Sequence, residues 1–369
     1  MVAAVRRLPR RPVNAGAGDL LLRDWRPQPK LVVPAHPVER ARFPAIDTHN
    51  HLGRWLSVWA GLDASAWTVP DVGALLELMD ACNVRAIVNL DGRWGEELEA
   101  NLDRYDCRHP DRFATFCHVD WAEAVASGTV GETAAASLRR SVEAGAKGIK
   151  VWKDLGLGVR DERSAFLLPD DRRLSPLWEA AAELDVPVFI HTADPVAFFD
   201  PVDERNERYE QLLAHPEWSF ADPTFPRFER LIDALEGLVA SNPDTAFVGV
   251  HVGGFAEDLG WVGRMLQTYP NFHVDIAARV AELGRQPRAT RSLILAHADR
   301  VLFGIDEFPP ASEEYGIYFR FLETADEHFA HSTEEVPLMG RWSISGIELP
   351  DEVLRKVYSE NALRLVPGL

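Results

Sequence analysis

Cysteine is scarce in this chain. Only Cys82, Cys107 and Cys117 occur in 369 residues, and none forms a CxxC or a zinc-type spacing. That argues against a disulfide framework and against a cysteine-built metal site. With no export signal, it points to a reducing cytoplasm. Long apolar runs are missing too, so no membrane span is expected. Arg6, Arg7, Arg10 and Arg11 stand near the N-terminus, but no apolar stretch follows them and no secretory or twin-arginine signal is read. Positive charge is in deficit, with 39 Lys and Arg against 57 Asp and Glu and a net charge of −18. Nucleic acid and anionic membrane surfaces need clustered cations, which excludes them as partners. A small anionic substrate needs only one or two local cations and stays open. Solenoid repeats are absent.

What is present is an alternation of short apolar runs and amphipathic segments. Residues 1–42 are rich in Pro and Arg and read as an irregular N-terminal arm. From 43 to 369 the pattern predicts eight strands, at 43–49, 84–90, 113–119, 148–152, 186–191, 246–251, 272–276 and 300–306. Helical spacing separates most of them, as at 71–82, 134–144, 175–184, 228–240, 256–269 and 287–296. Asn83 and Gly145 are stop signals. Such alternation predicts a parallel α/β sheet. Eight units fit a closed (β/α)8 barrel. A doubly wound open sheet would need a glycine-rich phosphate turn or a switch point, and neither is visible. Long insertions follow strand five (192–228) and strand eight (307–350).

The polar residues gather at strand ends. "FPAIDTHNHLG" closes strand one with Asp47, His49 and His51; "VPVFIHTAD" closes strand five with His191; "FVGVHVGG" closes strand six with His251; "RVLFGIDEF" closes strand eight with Asp306. In a barrel these ends meet on one face. Residues two apart on a strand point the same way, so His49 and His51 can grip one ion. Neutral imidazoles with a carboxylate are ligands of zinc and similar divalent metals. One histidine at a strand end is ordinarily a hydrogen-bonded core residue. Several polar groups buried at the same end are costly unless satisfied together.

These motifs, with "GAKGIKVW" and the terminal "LPDEVLRKVYSENALRLV", make residues 43–366 resemble the amidohydrolase superfamily. The resemblance is to the amidohydrolase 2 branch that holds aminocarboxymuconate-semialdehyde decarboxylase and γ-resorcylate decarboxylase. It implies one divalent metal, zinc or else manganese, held by His49, His51, His191 and Asp306. It implies a catalytic His251 beside the substrate, Asp306 as proton acceptor, and a homodimer. Ile305 stands where most members carry a small hydroxyl residue. In some branches a carbamylated lysine at the position of Lys150 bridges two metals. Here Lys150 is expected instead to form an ion pair in the barrel or to help bind substrate.

Trp55, Trp94, Trp121 and Trp152 follow successive strands and suit an aromatic wall for a flat substrate. Equally, they suit packing of loops on the barrel rim. Arg54 and Arg93 follow strands one and two and suit a substrate carboxylate. Asp200, Asp203, Glu204 and Glu207 in the first insertion read as surface charges, and His328 and His331 in the second take no role. Cys117 and His118 are neighbours on opposite strand faces and read as packing residues. Asp47 is expected to support the metal ligands by hydrogen bonds. The leading functional expectation is a metal-dependent hydrolase of a small ester, lactone or amide. The alternative is a nonoxidative decarboxylase of an aromatic or dienoic acid. A catalytically dead barrel acting as a binding subunit would lack metal.

Overall fold

The computed structural model describes residues 19–369, so residues 1–18 of the expected arm lie outside it. The described residues fall into two units, divided between residues 33 and 34. In the first, the described part is exposed and carries one 3-10 turn, Leu22–Asp24. Residues 34–42, also within the expected arm, belong to the second unit. Ala41 donates to Cys82 O at 3.0 Å, and His36 Nδ1 lies 2.6 Å from Asp326 Oδ1.

Eight short parallel strands form the second unit's centre: β1 Ala45–Asn50, β2 Val84–Asn89, β3 Phe113–Thr115, β4 Ile149–Val151, β5 Val188–Ile190, β6 Phe247–Gly249, β7 Phe272–Asp275 and β8 Val301–Leu302. They pair in the orders β1-β2-β3 and β4-β5-β6-β7-β8. Two seams close the ring. Past β3, Cys117 donates to Gly148 O at 2.9 Å and Lys150 donates to Cys117 O at 2.8 Å. Past β8, Thr48 donates to Phe303 O at 2.9 Å and Asp306 donates to His49 O at 2.9 Å. The fold is the expected (β/α)8 barrel.

The strands are apolar because both faces are covered. Ile46, Val88, Phe116, Phe189, Val248 and Leu302 share one compact cluster. A larger cluster joins the alternate strand residues, such as Val188 and Ile190, to the helices. The helix Val72–Cys82 starts on Asp71, whose side chain accepts from Ala74 N, and ends on Asn83 at φ 62°.

β1 departs from regular pairing. Asp47 faces Ile87 and Asn50 faces Asn89, so β1 carries one residue more than β2 over this stretch. Such a bulge re-aims side chains. Asp47 accepts from the amides of His49 (3.1 Å) and Ile305 (3.2 Å) and from the Tyr315 hydroxyl (2.8 Å). It therefore ties β1 to the segment after β8 and to the helix Ser312–Glu323.

Both insertions are structured. The first contains the helix Tyr209–Ala214 and the second the helix Ser312–Glu323. Arg341 of the second donates twice to the Glu210 carboxylate of the first, at 2.7 and 2.6 Å. No helix among the described residues is long and apolar enough to cross a membrane.

Candidate metal centre

The carboxyl ends of β1, β6 and β8 bring three ligand-bearing side chains together. Ligand atoms of His49, His251 and Asp306 all lie within 4.8 Å of one another. His51 joins them, with Nε2 3.3 Å from Asp306 Oδ1. His49 Nε2 is 3.7 Å from that same oxygen, and His251 Nε2 is 3.7 Å from Asp306 Oδ2. His191 stands beside His251 with ring centroids 4.5 Å apart. Its Nε2 lies 3.3 Å from Asp194 Oδ1, and Asp194 is bound to Lys153 at 2.6 Å.

Asp275 at the end of β7 organises this group, and the sequence reading gave it no role. Its carboxylate accepts from His49 Nδ1 at 2.7 Å and from the His251 amide at 2.7 Å. The first bond fixes the His49 tautomer and leaves an electron pair on Nε2. His251 Nδ1 donates to Ala277 O at 2.8 Å, which likewise leaves Nε2 facing Asp306. Placement rather than residue type hid Asp275. It ends an apolar run, "FHVDI", as the histidines do.

Backbone conformation contributes as well. His251 at φ 58° and Asp306 at φ 57° both adopt left-handed geometry. A residue with a side chain there costs about 1–2 kcal/mol. The Asp275 bond to His251 N and the His49 bond from Asp306 N hold the two in place.

Electrostatics suit a cation. Burial keeps the His49 and His51 imidazoles low, and it pushes His191 down to about 4. Burial first, then His191 and Arg279, hold His251 low. The four rings are thus neutral near pH 7, the form that binds metal. Burial acts to raise the Asp306 carboxyl, but His49, His51 and Lys150 outweigh it and keep it below the ordinary range. Both nitrogens of His51, both of His191 and Asp306 Oδ1 are buried without a hydrogen-bond partner. Buried polar atoms left this way are expected to meet a ligand. The donor set therefore fits a divalent metal.

Lys150 is 1 % exposed, and its Nζ donates to His49 Nε2 at 3.2 Å. Burial pushes the ammonium down to about 8 against the attraction of Asp306 and Asp275. Metal at His49 Nε2 would displace this hydrogen bond.

Three of the four tryptophans line one side. Trp152 meets His51 edge-on at 5.3 Å and His191 at 5.7 Å, and Trp55 packs on Trp152 at 4.9 Å. Arg93 lies over Trp55 at 4.4 Å and over Trp94 at 4.1 Å. Trp121 instead packs into the outer core. The two arginines differ. Arg54 is paired with Glu97 through Nε at 3.0 Å and through Nη2. Arg93 has no carboxylate within 4.0 Å among the described residues and donates to His118 Nδ1 at 3.3 Å. His118 in turn donates from Nε2 to Leu90 O at 2.7 Å. His118 is thus more than packing, since it supports Arg93. His331 is bound to Gly340 O at 3.0 Å, and His328 is exposed.

The family model described as Amidohydrolase matches residues 46–368. The chain belongs to that family, in the amidohydrolase 2 branch. Solved structures agree on the fold. A 2,6-dihydroxybenzoate decarboxylase from Rhizobium is 18% identical with a TM-score of 0.55, covering 88% of this chain and 98% of its own. A dihydroxybenzoic acid decarboxylase from Polaromonas sp. JS666, with bound manganese and the inhibitor 2-nitroresorcinol, is 17% identical with a TM-score of 0.56, covering 88% and 96%. A 5-carboxyvanillate decarboxylase from Sphingomonas paucimobilis is 14% identical with a TM-score of 0.51, covering 88% and 98%. No curated protein matches the chain in sequence.

Proposed function

We propose that the protein is a divalent-metal-dependent nonoxidative decarboxylase of a small aromatic or dienoic carboxylic acid. The sequence ranked hydrolysis first. One observation favours decarboxylation: Arg93, a half-buried guanidinium between two tryptophans with no carboxylate within 4.0 Å among the described residues. Hydrolysis of a neutral ester or lactone needs no such cation, whereas a carboxylic acid does. The decarboxylases of similar fold lend support at the level of the family.

His49, His51, His191 and Asp306 would hold the metal, and three nitrogens with one oxygen suit zinc or manganese. When bound, the metal supplies a Lewis acid that orients a substrate carboxylate or hydroxyl. The chain's own groups do the rest. Trp55 and Trp152 present flat apolar faces to an aromatic ring. Arg93 anchors an anionic group two aromatic rings, Trp55 and Trp152, away from His51. Breaking the bond to CO2 leaves an electron pair on the ring carbon, which must take a proton. That proton comes from solvent: His251 Nε2, whose electron pair faces Asp306 Oδ2 at 3.7 Å, takes it up beside that carboxylate and gives it to the carbon.

The test is incubation in heavy water with 2,6-dihydroxybenzoate and 5-carboxyvanillate, read by proton NMR, beside a panel of esters and lactones. Deuterium on the carbon that lost its carboxyl group is expected. Arg93→Met should cut kcat/KM by roughly ten- to a hundredfold, the range of a charge-assisted hydrogen bond. Acid release from an ester or lactone, with no CO2 from any acid, would restore hydrolysis.

A further inference from the structure

A centre that acts on a small molecule has to be reached from solvent, yet the side chains of this one are sealed. His49 and His51 are 0 % exposed, and His191 and His251 are buried beside them. The seal can be followed outward from the strands. β1 and β5 stand four places apart either way round the ring of eight, so they face each other across the mouth. A side chain that follows β1 nevertheless meets one that follows β5. Trp59 stacks on Trp218 of the first insertion, with ring centroids 5.5 Å apart and planes inclined by 19°. Both sides of this stack lead back to the same histidines. Four residues before Trp59, Trp55 packs on Trp152, which meets the rings of His51 and His191. On the other side, Lys153 Nζ lies 5.9 Å from the Trp218 ring and bonds Asp194 beside His191. The stack therefore belongs to a roof over the metal centre.

The two halves of the roof are unequally held. On the insertion side, Trp218 also stacks on Phe198 at 6.2 Å and on His215 at 4.0 Å. Arg208 of that insertion forms a buried ion pair with Glu282, and Glu207 accepts from Arg285 at 3.0 Å. Both bonds tie the insertion to the helix Val280–Arg285 after β7. On the β1 side, residues 51–71 form a loop without helix or strand. Thr68 N donates to Gly53 O at 2.9 Å, which pins the base of the loop and leaves its tip to pack by side chains alone. Leu56 and Ser57 are buried, but at the tip Val58 is 58 % exposed and Trp59 56 %. Among the described residues Trp59 has one ring contact, that with Trp218.

We infer that Trp59 is the latch of a gate. The loop tip, residues 58–66, closes on Trp218 and shuts water out of the centre, and a ligand enters when the two rings part. The insertion is the fixed jamb and the β1 loop is the moving leaf. A lone aromatic pair changes an equilibrium by only a few-fold to about tenfold, so the latch opens readily without unfolding the barrel. The inference rests on where the proposed metal centre lies, and it holds for decarboxylation and hydrolysis alike.

The test is modification of the full chain, as purified, by diethyl pyrocarbonate, read by peptide mass spectrometry. His251 reports on the sealed site, because its Nε2 keeps an electron pair and stands outside the proposed ligand set. His328 is exposed and serves as the internal control. In the wild type His251 should react about tenfold or more slowly than His328, as a site open a tenth of the time or less would. Trp59→Ala should raise the His251 rate about three- to tenfold and leave His328 unchanged. Trp59→Phe keeps a smaller stack and should fall between. Trp218→Ala should accelerate His251 at least as much, and adding Trp59→Ala to it should bring no further gain. Circular dichroism and melting temperature verify that the variants fold. The wild-type comparison needs no variant, and His251 reacting as fast as His328 would overturn the inference. An unchanged His251 rate in Trp59→Ala, an equal rise at both histidines, or a full further gain on Trp218→Ala would overturn it too. The two readings fail separately. Gated modification of His251 without CO2 release from any acid would remove the decarboxylase alone. CO2 release with no effect of Trp59→Ala on His251 would remove the gate alone.

Discussion

Asp275 shows how much one side chain sets at this centre. Its carboxylate orients the His49 ring by one oxygen and the His251 backbone by the other. Asp275→Asn keeps the size but removes the charge that raises His49 basicity. Metal affinity should fall roughly 10- to 100-fold, measured by competition with a chelating dye, while the fold stays intact. Unchanged affinity would mean that His49 needs no such partner. A second residue gives a pH signature. Burial pushes the Asp91 carboxyl up to about 8, opposed by Arg93. In the unfolded chain it titrates near 4. A group raised on folding stabilises the native state less as pH climbs from the unfolded to the folded value, here from about 4 to about 8. Urea unfolding at pH 5 and pH 8 should show the wild type losing more stability than Asp91→Asn. The bound on the slope is about 1.4 kcal/mol per pH unit. Equal slopes would contradict this assignment.

At the scale of elements, the end of β1 rests against the segment after β8. A Cβ on Gly304 would meet His49 Cβ at 2.9 Å and His49 N at 3.1 Å. Gly304→Ala should therefore push β1 away from Asp306, costing about 1–3 kcal/mol of stability and most of the metal. Denaturant titration and elemental analysis read both. This scale also shows what the sequence could carry. The eight strands were legible because each is a short apolar run closed by a turn or a polar residue. The helix Ser312–Glu323 was not, though Tyr315, Phe319 and Leu322 recur at helical spacing, because it sits inside what reads as one long insertion. The bulge in β1 was also invisible, since it depends on the partner strand. Arg54 and Arg93 each stand in a Gly-Arg-Trp triplet, so local pattern cannot separate them. Glu97, in the helix Gly95–Leu102, decides between them by pairing with Arg54. Asp194 escaped for the same reason: its contacts with His191 and Lys153 come from spatial neighbours.

At the scale of the whole molecule, the site depends on a rigid ring whose two insertions are clasped to each other. Arg341→Ala removes the two-pronged bond to Glu210. Such a half-buried, partly solvated pair is worth about 1 kcal/mol globally. Its loss should instead show as faster proteolysis within 192–228 and 307–350 at nearly unchanged melting temperature. Cleavage rates equal to the wild type would deny the clasp a role. The family-level reading of the sequence holds across nearly the full barrel, because metal-ligand chemistry limits which residues close the strands. The reaction lies in loops and unpaired charges, which pattern alone leaves open.

On the proposed reading, the ends of β1, β5 and β8 together hold one metal ion. Elemental analysis of the purified protein, with His49→Ala and Asp306→Ala beside it, tests this most directly. The account predicts zinc or manganese at about one ion per chain in the wild type and little in either variant. Wild-type protein that stays metal-free after reconstitution, or variants that keep the ion, would contradict it.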